Sequence, residues 1–217
     1  ALLPGDSMEM IMSVQYAAQG LENEVHVTSI VDNGSFFNSD ILPSIGYQPG
    51  FEMNDKNDRR KYGLPKRARM PRLDNEPARR MNTYLNNNAD WVRVRSIFGT
   101  SGDQIAIAPV SLRKQWKAKG RNYFHYELDH PSLNFYSFMS ARYQVKKKIY
   151  KGISLEVYYD ARHAYNVPKM LMSMEKSIDY YSNHFGPYRH KQARIIEFPR
   201  YASFAQAFPG TMPYSES

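Results

Sequence analysis

The side chains that could do chemistry are few, and their spacing suits none of the familiar active sites. The chain has six histidines, at positions 26, 125, 130, 163, 184 and 190, and no cysteine. No two histidines stand four apart, so no helix can present the His-Glu-x-x-His pair that holds zinc around a glutamate base. His125 and His130 lie across an expected strand end and turn, and His184 and His190 flank Gly186-Pro187. Both pairs are expected to be structural or exposed rather than metal-binding. Without cysteine there is no thiolate nucleophile, no disulfide and no cysteine-ligated metal. The sequence also lacks a G-x-S-x-G elbow and the glycine-rich phosphate loops of the Walker and dinucleotide types. By these residues alone the chain is not a complete enzyme of any motif-bearing class.

The elements around these residues read as strands for most of the length. Ser7 to Tyr16 alternates, with Met8, Met10, Met12, Val14 and Tyr16 on one side, which predicts a strand with one buried face. Glu24 to Val31 repeats the pattern and ends at the turn-forming Asp32-Asn33-Gly34. Further strands are expected over Trp91 to Ile97 and Gln104 to Ala108, with Ser101-Gly102-Asp103 as the turn between them. Aromatic and β-branched runs at Arg121 to Leu128, Asn134 to Val145 and Ile153 to Tyr159 complete the set, while Ser111 to Lys119 reads as a polar bridge. Strands separated by turn residues, with no helix-period segment, predict antiparallel sheet rather than βαβ units over about the first 158 residues.

After that the period changes. Asn166 can cap a helix that takes Pro168 in its first turn. Val167, Met170, Leu171, Met174, Ile178, Tyr181 and Phe185 then fall three or four apart, which predicts one helix of about five turns. Gly186-Pro187 ends it. Ala193 to Phe198 reads as a buried strand and 199–217 as an irregular, glycine-bearing segment that could line a cleft. The fold expectation is therefore mainly β: a domain over 1–158, then a short α/β piece over 159–217.

The 217 residues suffice for one large domain or two small ones. No stretch approaches the ~20 apolar residues of a membrane span. The net charge is +8, but it is concentrated. Between positions 56 and 80, ten Lys and Arg face three Asp and Glu, so this stretch holds seven of the eight charges. Its prolines, Pro65, Pro71 and Pro77, predict an extended surface loop at about 54–82. The loop is either simply solvated or docks on anionic lipid or an acidic partner, and nucleic acid is not expected as its ligand.

Several stretches resemble the zinc aminopeptidase family that includes aminopeptidase N and leukotriene A4 hydrolase. The closer likeness is to its bacterial branch fused to ABC-transporter-permease-like membrane segments. These stretches are Pro43-Ser44-Ile45-Gly46-Tyr47, Lys61-Tyr62-Gly63-Leu64-Pro65, Asp103-Gln104-Ile105-Ala106-Ile107-Ala108-Pro109, Asn134-Phe135-Tyr136-Ser137-Phe138 and Phe198-Pro199-Arg200-Tyr201-Ala202-Ser203-Phe204-Ala205-Gln206.

The resemblance implies a saddle-shaped or sandwich-like antiparallel β domain, followed by the first helix and strand of a thermolysin-like catalytic domain. It places Gly210-Thr211-Met212-Pro213-Tyr214 where the family carries its substrate-lining G-x-M-E-N segment. Gly210 and Met212 fit, Pro213 and Tyr214 replace the Glu and Asn, and Glu216 could approach the same place. The expected substrate-side residues are thus Gly210, Met212 and Glu216, with no catalytic and no metal-binding residue. The zinc helix, its third ligand and the catalytic tyrosine would follow Ser217. The implied chain is then a catalytically inert, soluble piece that holds no cofactor itself, of a parent that binds zinc and peptide. That parent would sit in a bacterial membrane, anchored by segments outside this chain, with its peptidase region extracytoplasmic. Its other partner would be the rest of the catalytic domain, with a dimer possible through apolar surface on 167–185 and 193–198. The alternative is a scaffold module of a transporter whose peptidase-like region has lost catalysis.

Overall fold

A computed structural model describes residues 5–18, 29–38, 41, 51–67, 74–75, 91–109, 111–198 and 205–215. Over these residues the protein is mainly β, and its sheets bury three apolar clusters. The strands are β1 (Ile30–Val31), β2 (Gly34–Asn38), β3 (Trp91–Val92), β4 (Arg95–Ser101), β5 (Ile105–Ile107), β6 (Ser111–Ala118) and β7 (Arg121–Glu127). They continue as β8 (Ser132–Leu133), β9 (Ser137–Ala141), β10 (Gln144–Tyr150), β11 (Ile153–Tyr159), β12 (Gln192–Phe198) and β13 (Thr211–Ser215). Two α-helices are described: α1 (Lys56–Lys61) and α2 (Val167–Phe185), the latter preceded by a 3-10 turn over Ala161–Asn166.

Three sheets stack with a helix. A three-stranded sheet ordered β4-β7-β6 packs on one face of a four-stranded sheet ordered β1-β2-β9-β5. Both are antiparallel throughout. Alternation divides the second sheet's side chains: Ala106 and Phe138 meet Phe124 and Tyr126 on one side. Phe36, Ile107 and Met139 meet Tyr158, Ile196 and Phe198 of the last sheet on the other. The Phe36 and Phe198 ring centroids lie 4.8 Å apart there.

The last sheet, ordered β10-β11-β12-β13, mixes directions: β10 pairs antiparallel with β11, but β11, β12 and β13 run parallel. Parallel neighbours need a crossover, and α2 supplies it. Val167, Leu171, Met174 and Ile178 bury against Leu155, Val157 and Ala193. The sheet crosses position 158, with β10 and β11 before it and β12 and β13 after. Among the described strands of the first 158 residues every pairing is antiparallel, as expected, and the parallel pairs all bring in β12 or β13. Ile153–Tyr159 is largely buried on both faces because a helix covers Ile153, Leu155 and Val157 on one and another sheet covers Tyr158 on the other.

Other readings change as well. Residues 6–18 form no strand, and Met8, Ile11, Val14 and Tyr16 are all exposed. Alternation specifies a face but supplies no pairing partner. Glu24 to Val31 falls mostly outside the described residues, as do 42–50, 199–204 and Glu216. Ser111 to Ala118 is a full strand rather than a bridge. Its side chains are exposed on both faces apart from Ser111 and Trp116, which removes the alternation that would have marked it.

The basic stretch is not wholly an extended loop. Asp55 caps α1 by accepting from the Asn57 and Asp58 amides. Arg59 is buried and donates to Glu52 Oε1 and to the Met53 and Pro65 carbonyls. Helix α2 runs as expected to Gly186, whose φ of 107° few other residues tolerate. Its start differs, because Asn166 makes no side-chain cap. Asp160 instead caps the 3-10 turn through the Arg162 amide.

Candidate functional site

The residues singled out at the C-terminus come together at a turn between two concavities. Strand β12 ends on buried Ile196, Glu197 and Phe198, and the chain returns through 205–208 before turning at Pro209-Gly210 into β13. Phe208 N donates to Thr211 O at 2.7 Å and Thr211 N to Phe208 O at 3.0 Å, closing a tight hairpin. Gly210 sits at φ 63°, and a Cβ there would lie 3.2 Å from Gln192 O. Its own carbonyl accepts from Arg194 N at 3.1 Å, which starts the β12–β13 ladder. Segment 199–217 is therefore not irregular throughout, since Thr211–Ser215 is a strand.

β13 is the outermost named strand of its sheet, and this explains how it tolerates proline. The Pro213 carbonyl accepts from Gln206 N on the side away from β12, so the missing N–H breaks no bond to β12. The returning segment 205–208 bridges that outer side at Ala205–Tyr214 and Phe208–Thr211. Pleating then sends Met212 to the helix side and Thr211 and Pro213 into the core, where both are buried.

On the helix side, Met212 and Gly210 line an apolar groove of ≈ 670 Å³ with Met174, Ile178, Tyr181 and Phe185 of α2. Tyr181 and Phe185 belong to the predicted helical stripe but are 60% and 78% exposed, because the sheet ends before the helix does. Strand 193–198 itself has both faces covered, one by α2 and the other by Phe36 and Met139. The apolar surface expected there is buried, whereas α2 exposes Tyr181 and Phe185 at the groove and Met172 and Tyr180 outside it.

On the other side of the Gly210 turn lies a cleft of ≈ 690 Å³. Its walls include Trp91, Phe135, His130, Arg189, His190 and Lys191. The Phe135 and Phe208 rings stack with centroids 4.5 Å apart, tying the floor of the cleft to the hairpin. His190 is held below its usual pKa, first by burial and then by the neighbouring His130, with Asp129 opposing. Sequence spacing paired His190 with His184 and His130 with His125; the fold instead brings His190 beside His130. Asp129 is already engaged by Ser111 Oγ at 2.7 Å and Arg113 Nη2 at 2.6 Å, which hold its carboxyl below the usual range. Among the described residues no group of three or more His, Asp or Glu could hold a metal ion.

Beneath both concavities a row of register partners crosses the sheet: Lys147, Glu156, Arg194 and Thr211. Glu156 Oε1 accepts from Lys147 Nζ at 3.1 Å and Ser154 Oγ at 2.9 Å, and Oε2 accepts from Tyr158 Oη at 2.6 Å. Arg194 Nη1 donates to Ala108 O at 2.7 Å, and its guanidinium lies over the Tyr126 ring. Burial pushes the Glu156 carboxyl up, but the Tyr158 bond and the Arg194 and Lys147 charges outweigh it and leave it lowered. Tyr126 is raised to about 12 by burial, and Tyr158 is raised further by burial and the Glu156 charge. At the end of β12, buried Glu197 bonds His163 Nδ1 and accepts from Asp160 N at 2.7 Å, fixing the 3-10 turn that leads into α2. These groups fix the strands in place. The chain matches no protein family and no curated protein sequence.

Proposed function

We propose that this chain is the non-catalytic, β-rich part of a zinc-metallopeptidase-like protein of the aminopeptidase kind, and that it shapes one wall of a peptide cleft. The observation that carries the reading is the placement of Gly210 and Met212. Gly210 makes the turn into edge strand β13 and Met212 stands on it, beside an apolar groove wide enough for a side chain of a peptide. The chemistry would come from zinc held by residues that follow Ser217. No step of the reaction is assigned to the described residues. Their part is to seat an apolar side chain against Met212, Tyr181 and Phe185.

Titration of an apolar tetrapeptide into isotope-labelled protein tests this. Amide shifts are expected at Gly210, Met212 and Ala193, with no hydrolysis whether or not zinc is added. Chelator-sensitive turnover by the pure chain, or shifts that avoid the groove altogether, would overturn the reading.

A second reading, a scaffold module of a transporter whose peptidase-like region has lost catalysis, draws on a different observation. Pro213 and Tyr214 replace the family's substrate-gripping Glu and Asn, and segment 205–208 covers the side of β13 on which a peptide could add a strand. The gene sequence beyond Ser217 separates the two. A His-Glu-x-x-His helix with a downstream glutamate favours the peptidase, and its loss favours the scaffold.

A further inference from the structure

Two hairpins of this protein share a turn but differ in what neutralises their cations. β6–β7 turns at Lys119-Gly120 and β10–β11 at Lys151-Gly152, each with both residues at positive φ, as a two-residue hairpin turn requires. The second hairpin is largely neutralised within the fold: of its four lysines, Lys147 pairs with Glu156, Lys148 with Glu175 and Lys151 with Asp179. The first is not. From position 104 to 126 the sequence holds five Lys and Arg and no Asp or Glu. Of these, Arg113 pairs with Glu127 and Asp129, while Lys114, Lys117, Lys119 and Arg121 make no ion pair among the described residues. The nearest carboxylate on the adjoining turn, Asp103, is bonded to Arg142 Nε at 2.5 Å.

Of these cations, Lys114 and Arg121 share the outer face of the sheet with an aromatic pair, and Lys119 sits in the turn beside it. Trp116 and Tyr123 are register partners, stacked at 5.3 Å with planes 9° apart. The Tyr123 ring lies above Gly99, where a Cβ would come 2.9 Å from its Cε1. Lys114 Nζ sits 5.6 Å from the Trp116 ring centroid, and Ile97, 56% exposed, adds an apolar side chain to the same face. We propose that this face, centred on Trp116 and the Lys119-Gly120 turn, docks on an anionic lipid bilayer. Trp and Tyr beside Lys and Arg suit the headgroup layer, where rings sit among polar groups and cations meet lipid phosphates. A single-stranded nucleic acid would instead require open ring faces for base stacking. Here Tyr123 and Lys114 take the faces of Trp116. The proposal is independent of the peptidase reading and concerns a surface distant in sequence from Gly210 and Met212.

Co-sedimentation of the full chain with phosphatidylcholine vesicles, with and without about 30% phosphatidylserine, tests it. A Trp91→Phe background leaves Trp116 as the single tryptophan, which is excited selectively at the red edge of its absorption. Binding is expected only to the anionic vesicles, with a blue shift of Trp116 emission, and it should weaken as salt screens the charges. Lys114→Glu with Lys119→Glu should lower partitioning at least ~10-fold, since each cation near the surface contributes about 1 kcal/mol. Lys119→Glu with Arg121→Glu should do the same, with near-UV circular dichroism unchanged. Arg60→Glu with Lys66→Glu alters net charge equally and should leave binding within about twofold if the hairpin is the contact. An equal loss in that control, an absence of preference for anionic vesicles, or hairpin-dependent binding of single-stranded DNA without vesicle binding would each overturn the proposal.

Discussion

Glu156 and Arg194 face each other in the register of the parallel β11–β12 pair, both buried, with Arg194 Nε 3.7 Å from Glu156 Oε2. The pair is the hinge point of three sheets, because Arg194 also bonds the Ala108 carbonyl and covers the Tyr126 ring. Removing Arg194 leaves Glu156 with exposed Lys147 as its remaining cation and takes the donor from the Ala108 carbonyl. Arg194→Met is expected to cost about 3–5 kcal/mol in urea unfolding, whereas Arg194→Met combined with Glu156→Leu should cost distinctly less. If the double replacement is as damaging as the single, the pair is not coupled in this way.

The same network fixes the direction of the acid response. Glu156 is depressed in the folded state, and Asp160 is lowered to about 2 by its Arg162 hydrogen bond. A carboxylate with a depressed folded pKa contributes stability above its unfolded pKa, roughly 4, and loses it as pH falls through the folded value. Stability should therefore hold down to about pH 4.5 and then decline toward pH 2. Glu156→Gln should flatten that decline. At the other end, Tyr126 and Tyr158 stay neutral in the fold above pH 10 while the unfolded chain ionises, so stability should drop there too. Unfolding monitored across both limbs checks this, and an acid limb unchanged in Glu156→Gln would exclude the carboxylate as its source.

What the sequence discloses follows from how local each feature is. Helix α2 was legible because its apolar stripe and Gly186-Pro187 are written in consecutive residues, and β12 because Ala193, Ile195, Ile196 and Phe198 make a short apolar-rich run. The Lys119-Gly120 and Lys151-Gly152 turns carry local signals as well. β6 and β10 were hidden, since Lys114, Lys117, Lys146 and Lys148 reach solvent and erase the alternation. The Met8 to Tyr16 alternation misled for the opposite reason, showing a face without a partner. At the site, Gly210 and Met212 were found through resemblance. The nearness of His130 to His190 and the Glu156–Arg194 register depend on chain segments far apart in sequence, and no local pattern encodes them.

Gly34 makes a prediction from close approach alone. It opens β2 opposite Ala141, and a Cβ at this position would lie 1.8 Å from the Ser140 carbonyl oxygen. The obstacle is backbone, so no side chain can rotate away. Gly34→Ala should force β2 and β9 apart and cost about 1–3 kcal/mol, the range for overpacked sites. Hydrogen exchange should rise across the β2–β9 ladder, and a variant as stable as the parent protein would show that the strands separate more easily than their packing implies.

Helix α2 predicts a contrast along one stripe. Leu171 is 8% exposed and packs among Val167, Met174, Leu155 and Val157, so Leu171→Ala removes buried carbon and leaves a cavity, costing about 2–5 kcal/mol. Phe185 sits on the same predicted stripe but is 78% exposed, so Phe185→Ala should change monomer stability by less than about 0.5 kcal/mol. If Tyr181 and Phe185 meet a second copy of the chain, the two substitutions separate further in sedimentation. Phe185→Ala would abolish a dimer at concentrations where Leu171→Ala preserves it among the folded molecules. If Phe185→Ala instead unfolds the protein as readily as Leu171→Ala, then the end of α2 is held by contacts beyond the sheet that buries its first three turns.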